Sequence, residues 1–410
     1  MVQGNYVGVN AAGSAALGNG WWGIAAYNGS TNSRIGTDVD GVNDANEGNV
    51  VSGNSQVGIG IDGLTTTGSK IAGNVIGLDA SGTSALGNAF QGVYVNGNNT
   101  TVGGAQAAAR NVISANGNNG IWIRGATGVV VQGNYVGTNA AGTAAFGNGF
   151  TGIALTSGAK QNVIGTNGDG VNDATERNVV SGNLLEGVFI GDSGADSNVV
   201  AGNFIGTNAA GTAAIGNGGR GVMLARGTKR NIIGTNGDGV NDAAERNIIS
   251  GNGIDGVDLF DSGTEFNRIA GNYIGTDVTG NSAIGNLLFG VGMANGPQNN
   301  FVGTNGDGLG DASEGNVISG NANTGVPLFD ANTSGNVIAG NIIGLNAVGT
   351  AALPNGGLGV DILNGSNHNR IGTNGDGVSD LLERNTISGN GGIGVRFTGS
   401  ATGNNVVAGN

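Results

Sequence analysis

Five stretches of the chain space carboxylates and carboxamides so that one short loop could wrap a hard divalent cation. In the second stretch, Asn167, Asp169, Asp173 and Glu176 follow Gly165, with Gly170 between the two aspartates. The other sets are Asp38, Asp40, Asp44 and Glu47; Asn236, Asp238, Asp242 and Glu245; Asn305, Asp307, Asp311 and Glu314; and Asn374, Asp376, Asp380 and Glu383. Calcium takes about six to eight oxygen ligands. Such a loop offers side-chain oxygens, a backbone carbonyl at Val171 and a two-oxygen glutamate, while Gly170 permits the sharp turn. Calcium is therefore one reading of this edge. The other is a turn with a ladder of solvated charge, since Asn-Gly-Asp-Gly is a good turn sequence in its own right. On that reading Arg177, Arg246 and Arg384, which directly follow three of the loops, pair with the acids. A sixth stretch, Gly103 to Asn111, has no acid and joins similar flanking residues, so the corner does not require a metal.

At these positions the loops resemble calcium loops of EF-hand, dockerin and thrombospondin-repeat type. They depart from them at the first ligand position, where Gly36, Gly165, Gly234, Gly303 and Gly372 stand in place of Asp. The charge distribution singles out the same edge. Net charge is −13, and sixteen of the 28 acids lie in the five loops. With the three following arginines set aside, the remaining chain is neutral. Scattered basic residues on an acidic background disfavour nucleic acid as a partner.

The elements that must position these loops show as a repeat. Gly-Val or Gly-Ile, then any residue, then an apolar one recurs from Gly23, Gly58, Gly92, Gly120, Gly152, Gly187, Gly221, Gly256, Gly290, Gly325, Gly359 and Gly394. From Gly152 onward the steps alternate between 35 and 34, so the full repeat is 69 residues holding two coils. The segments alternate with period two, which means short strands with one apolar face. They close on Gly-Asn, which favours sharp turns. Of 410 residues, 88 are Gly and 60 Asn, with 3 Pro and no Cys. That composition disfavours a helical protein and excludes collagen and disulfide stapling. No apolar run approaches the ~20 residues of a membrane helix. No coil buries its face alone, but about twelve stacked coils would, over roughly 58 Å at ~4.8 Å per coil. The expectation is all-β: a single right-handed parallel β-helix over 1–410 with three strands per coil. The stretch Asn198 to Asn208 fits either one bent strand or two. Val2 to Gly8 repeats Val131 to Gly137, and Val406 to Asn410 repeats Val199 to Asn203. Both ends fall inside a repeat, which reads as a piece of a longer repeat protein, with a genuine start at Met1 as the alternative.

Asn247-Ile-Ile-Ser-Gly-Asn252, Gly256-Val-Asp-Leu and Arg268-Ile-Ala-Gly-Asn272 resemble right-handed parallel β-helix repeats of the pectate-lyase-like superfamily. The resemblance covers essentially the whole chain. It implies a pectin-lyase type of fold and an extracellular or cell-surface location, but that fold carries many functions. The polygalacturonase strings Gly-His-Gly and Arg-Ile-Lys and the alginate-epimerase string Asp-Pro-His do not occur, and His368, the one histidine, sits in a turn-like stretch. Asp258, Asp361 and Arg396 take the outward position of the marker strand. The two aspartates are three coils or roughly 14 Å apart, too far to share an ion. In the same column Tyr94, Trp122 and Phe189 either contact a sugar ring or lie covered by a neighbouring loop, and Pro327 should disturb its strand. The expectation is a non-enzymatic secreted or surface segment: a stalk, adhesive or carbohydrate-contacting piece with a polysaccharide or cell-surface glycan as partner. A polysaccharide lyase or epimerase is the alternative, favoured by an acid–base pair beside an aromatic groove. Regular, featureless faces would favour the stalk.

Overall fold

The computed structural model describes residues 1–410. The chain is a right-handed parallel β-helix, with 36 strands in three parallel sheets of twelve. Each coil contributes one strand to each sheet, and every sheet pairs strictly successive coils. The marker sheet runs from Ile24–Ala26 to Val395–Thr398, the second sheet from Arg34–Gly36 to Val406–Ala408, and the third from Tyr6–Val7 to Thr386–Ile387. The ambiguous stretch resolves into two strands, Val199–Ala201 and Phe204–Ile205, which belong to different sheets. Gly202, at φ 73°, makes the corner between them.

The marker columns keep the register implied by the repeat. Val188, Val222, Val257 and Val291 stack, as do Ile190, Leu224, Leu259 and Met293. All are fully buried in one core that runs the length of the tube. At Pro327 the strand shortens, and its pairing to the preceding coil shrinks to Met293 opposite Leu328. A residue without an N–H cannot extend the ladder.

Asparagine does more than turn the chain. Asn178, Asn203, Asn247, Asn272 and Asn316 lie buried at one corner, each passing an Nδ2–H to the Oδ1 of the next. The same Oδ1 atoms accept the backbone N–H of the preceding coil's asparagine. A second ladder runs through Asn183, Asn217, Asn252 and Asn286, and a third through Asn162, Asn198, Asn231 and Asn267. Interior corners leave backbone polar groups without strand partners, and a carboxamide supplies both a donor and an acceptor.

Two kinds of coil alternate. One leaves the second sheet through an acidic loop, such as that between Ile232–Gly234 and Ile248–Ile249. The next passes that corner in a tight turn and places its long loop after the third sheet, as at residues 206–217. Each corner thus carries a loop every second coil, a spacing of about 9.6 Å. The second kind of loop has stacked contacts of its own. Ala209 N–H donates to Gly142 O and Val278 N–H to Gly211 O, both at 2.9 Å. These loops cover Tyr135, Phe204 and Ile248 on the outside of the third sheet.

Candidate functional site

The acidic loops share one edge, and each satisfies much of its own polarity. In the second, Thr166 Oγ1 and Gly170 N–H donate to Asp173 at 2.8 and 3.1 Å, and Val171 N–H donates to Asp169 at 2.8 Å. Asn167 N–H donates to Glu176 at 3.2 Å. The same glutamate contact recurs at Glu47, Glu245, Glu314 and Glu383. Burial pushes the Glu176, Glu245 and Glu314 carboxyls up. In the four later loops an asparagine amide donates to the aspartate two residues on, at 2.8–3.1 Å: Asn167 to Asp169, Asn236 to Asp238, Asn305 to Asp307 and Asn374 to Asp376. The first loop has Asp38 in place of that asparagine. There Asp38, Asp40 and Asp44 bring ligand oxygens within 4.8 Å of one another.

Two of the three arginines after the acidic loops, Arg177 and Arg246, have a different role from ion pairing. Arg177 and Arg246 each lie 4.1 Å from a ring centroid, of Phe204 and Tyr273, and Arg110 does the same over Tyr135. Their Nε–H groups donate to Gly202, Gly271 and Gly133 carbonyls. The loop acids that do pair use arginines of the second sheet: Asp38 with Arg34, Glu314 with Arg268 and Glu383 with Arg370, at 3.0–3.1 Å.

The outward column of the marker sheet divides by chemistry. Asp361 and Arg396 neutralise each other through two contacts, at 3.0 and 2.7 Å, and His368 is exposed. Tyr94 and Trp122 are adjacent, with ring centroids 5.5 Å apart, and Trp22 joins them 5.9 Å from Tyr94. Phe189 is not part of that group. Ala154 intervenes, and Phe189 lies under Arg226 instead.

Asp258 is the member of the column with unforeseen company. The residues just before successive marker glycines are Glu186, Arg220 and Asp255. Arg220 Nε lies 2.6 Å from Asp258 and 3.8 Å from Asp255, and its Nη1 lies 3.9 Å from Glu186. Thr151 Oγ1 donates to Glu186, and Phe289 N–H donates to Asp255 at 3.0 Å. Asp255 and Asp258 are 4% and 3% exposed, so their charges meet little water. Burial, then the Asp258 charge, raises the Asp255 carboxyl to about 7 against the opposing pull of Phe289 N–H and Arg220. Burial also pushes Asp258 up, with Arg220 opposing. A cavity of about 150 Å³ opens beside the pair, walled by Phe260, Phe289 and Phe329. Gly292 keeps it open, since a Cβ there would stand 3.2 Å from Asp258 and 3.6 Å from Asp255. The column before the marker glycine, read coil by coil, was the available signal: two acids flanking one arginine on three successive turns.

No protein-family model matches the chain, and comparison with curated proteins finds no match. Among solved structures, the chain is similar to the AlgE6 A-module of the Azotobacter vinelandii mannuronan C-5 epimerase. Identity is 15% over 99% of this chain and 88% of that one, with a TM-score of 0.38. It is similar to the periplasmic alginate epimerase AlgG at 13% identity over 86% and 70%, with a TM-score of 0.32. It is also similar to an alginate lyase in complex with a trisaccharide, at 11% identity over 98% and 81%, with a TM-score of 0.29. These likenesses are of fold. The expected non-enzymatic stalk is corrected in favour of its alternative: the solved structures of like fold include alginate epimerases and an alginate lyase, alongside a hyper-glycosylated TibA fragment. Nor are the faces featureless, because buried acids meet an arginine beside phenylalanine rings.

Proposed function

We propose that this chain is a carbohydrate-active enzyme, a lyase or epimerase acting on a polysaccharide by proton transfer, with Asp255 as its acid–base group. The observation that carries the reading is a buried carboxyl near 7 beside an Asp258–Arg220 ion pair, at the wall of a cavity. An acid–base group works best when its pKa lies near the working pH, because both protonation states are then populated. An epimerase takes a proton from carbon and returns one to the opposite face. A lyase takes a proton from carbon and delivers one to the departing oxygen. Asp255 suits the proton-accepting step, and Arg220 lowers the cost of the negative charge that builds nearby. Asp258 holds Arg220 in place. The phenylalanine wall keeps water away, which raises the worth of every charge inside.

The test is incubation of the full chain with alginate, with calcium present. Absorbance of unsaturated product reports a lyase, and uronate configuration by NMR reports an epimerase. Asp255→Asn should lower turnover by about 10²- to 10⁴-fold. Turnover that survives this change would remove Asp255 from the role, and no turnover of alginate, pectate or hyaluronan would remove the enzyme reading.

The same reading places the protein in the periplasm or outside the cell, where such polymers are met. No helix is long and apolar enough to cross a membrane. It also includes calcium at the first acidic loop. Three carboxylates lie within 4.8 Å of one another with Arg34 pairing only Asp38, so a cation among them would offset the remaining repulsion, and hard oxygen donors suit calcium. In the later loops a cation must displace an asparagine–aspartate hydrogen bond.

A further inference from the structure

We propose a second site on this molecule: a saccharide-binding cleft on the outer face of the marker sheet, formed by Trp22, Tyr94 and Trp122, in which Gln91 pairs with sugar hydroxyls. The three rings follow one another along the tube axis with centroids 5.9 and 5.5 Å apart, and Trp21 extends the row 5.1 Å from Trp22. They wall a cavity of about 240 Å³ together with Gln56, Asp62 and Gln91. The backbone is shaped for this row. Gly60 occupies the column position next to Tyr94, and a Cβ there would come within 2.4 Å of the Trp22 ring. Glycine at 60 therefore lets the indole lie against the sheet. Trp122 is held by its Nε1–H, which donates to Thr156 Oγ1 at 2.8 Å.

Gln91 supplies a polar partner on the wall of the cleft. The residue is 7% exposed and lines the cleft, and its side-chain amide, which makes no hydrogen bond within the protein, opens to solvent there. An amide that opens on the cleft and is not engaged by the protein can pair with a ligand hydroxyl without breaking an internal contact. A pyranose ring matches what is offered. Its C–H face packs on an aromatic ring while its rim of hydroxyls meets amides and a carboxylate. An apolar peptide or lipid chain would leave Gln91 and Asp62 unpaired. No Lys or Arg lines the cleft, although the Arg124 guanidinium stands over the Trp122 ring, 5.7 Å from its centroid. Recognition is thus of ring faces and hydroxyls, with an acidic group not required. Trp122 and Asp258 are four coils apart, about 19 Å. This site stands whether or not Asp255 does chemistry.

The experiment is a titration of the full chain with cellohexaose and, separately, with a mannuronate hexamer, read by tryptophan fluorescence and calorimetry. Saturable binding of at least one is expected. Trp122→Ala and Gln91→Leu should each weaken it at least tenfold, and Asp255→Asn should leave it unchanged. Gly60→Val should match Trp122→Ala. If that variant misfolds by circular dichroism, the first two changes decide. No saturable binding of either sugar, or binding indifferent to both Trp122→Ala and Gln91→Leu, would overturn the proposal. So would saturation by an apolar peptide in place of sugar. Sugar binding that is lost in Asp255→Asn but kept in Trp122→Ala would place the sugar in the acid cavity instead and overturn this site alone.

Discussion

Asp255 holds its proton to an unusually high pH because burial penalises its charged form and the Asp258 charge beside it adds to that penalty. This makes stability depend on pH in a definite direction. Below pH ~4 the folded and unfolded forms both carry the proton. Between ~4 and ~7 only the folded form keeps it, so stability falls as pH rises and levels off once the folded group has ionised. A shift of about three units bounds the loss at about 4 kcal/mol. Asp255→Asn, which mimics the protonated acid, should melt with the natural protein near pH 4 and several degrees above it at pH 8. Thermal melts across that range check this, and parallel curves would show that the carboxyl titrates normally. The signal at residue scale was partly legible. Asp258 stood out in its column, but Glu186, Arg220 and Asp255 belong to a column three residues earlier, just before the marker glycine. Only the folded turn brings the two columns together.

At the scale of elements, the corner asparagines and marker valines hold the coils together by different physics. Asn247 accepts from Asn203 N–H and Nδ2–H, and donates to Val200 O and Asn272 Oδ1. Asn247→Ala leaves several buried groups unpaired and should cost about 3 kcal/mol or more, since each orphan costs about 1–3 kcal/mol. Val257→Asp places a charge in the core column and should cost several kcal/mol, roughly in the range for burying an unpaired polar group. Urea unfolding of both variants, compared with an exposed control such as Val171→Ala, measures these. The acidic loop is an element of its own. With calcium at a hundredfold excess over Kd, binding to the folded form adds about 2.7 kcal/mol. Melting in millimolar calcium should therefore exceed melting in EGTA or magnesium, and Asp38→Asn with Asp40→Asn should abolish the difference. The absence of any calcium-specific shift would leave the loop a hydrogen-bonded corner. The sequence pattern made five loops look alike. The structure separates the first, because Asp38 replaces an asparagine that elsewhere bonds to its neighbouring aspartate.

Over the whole molecule, the alternation of loops decides which changes of length the tube tolerates. Removing residues 290–358, one 69-residue double coil, joins Phe289 to Gly359 and keeps loops of each kind two coils apart. Removing only 290–324 brings two long loops of the same corner onto successive coils, about 4.8 Å apart. A loop two strands thick has no room there. The first deletion should fold with β-sheet circular dichroism and a slightly lower melting point, and the second should aggregate or melt far lower. Each repeat contacts only its neighbours, so the shortened stack loses contacts in proportion to length. Equal behaviour of the two would show that the loops are free of one another.

The sequence by itself determined the solenoid, its twelve coils, the phase of Val222 and Val257 and the acidic edge. A repeat returns each side chain to the same place on the next coil, and that relation is written in spacing alone. It left open whether Asn198 to Asn208 held one strand or two, since only the corner at Gly202 divides it. It also missed that the Gly-Asn closings bury their asparagines, because a ladder is a property of successive coils and not of a turn. The acid–arginine cavity, the place of Trp22 over Gly60 and the unpaired amide of Gln91 were decided by the tertiary structure. Each depends on how far a side chain reaches across neighbouring coils and on what is desolvated when it arrives, and neither quantity is carried by spacing.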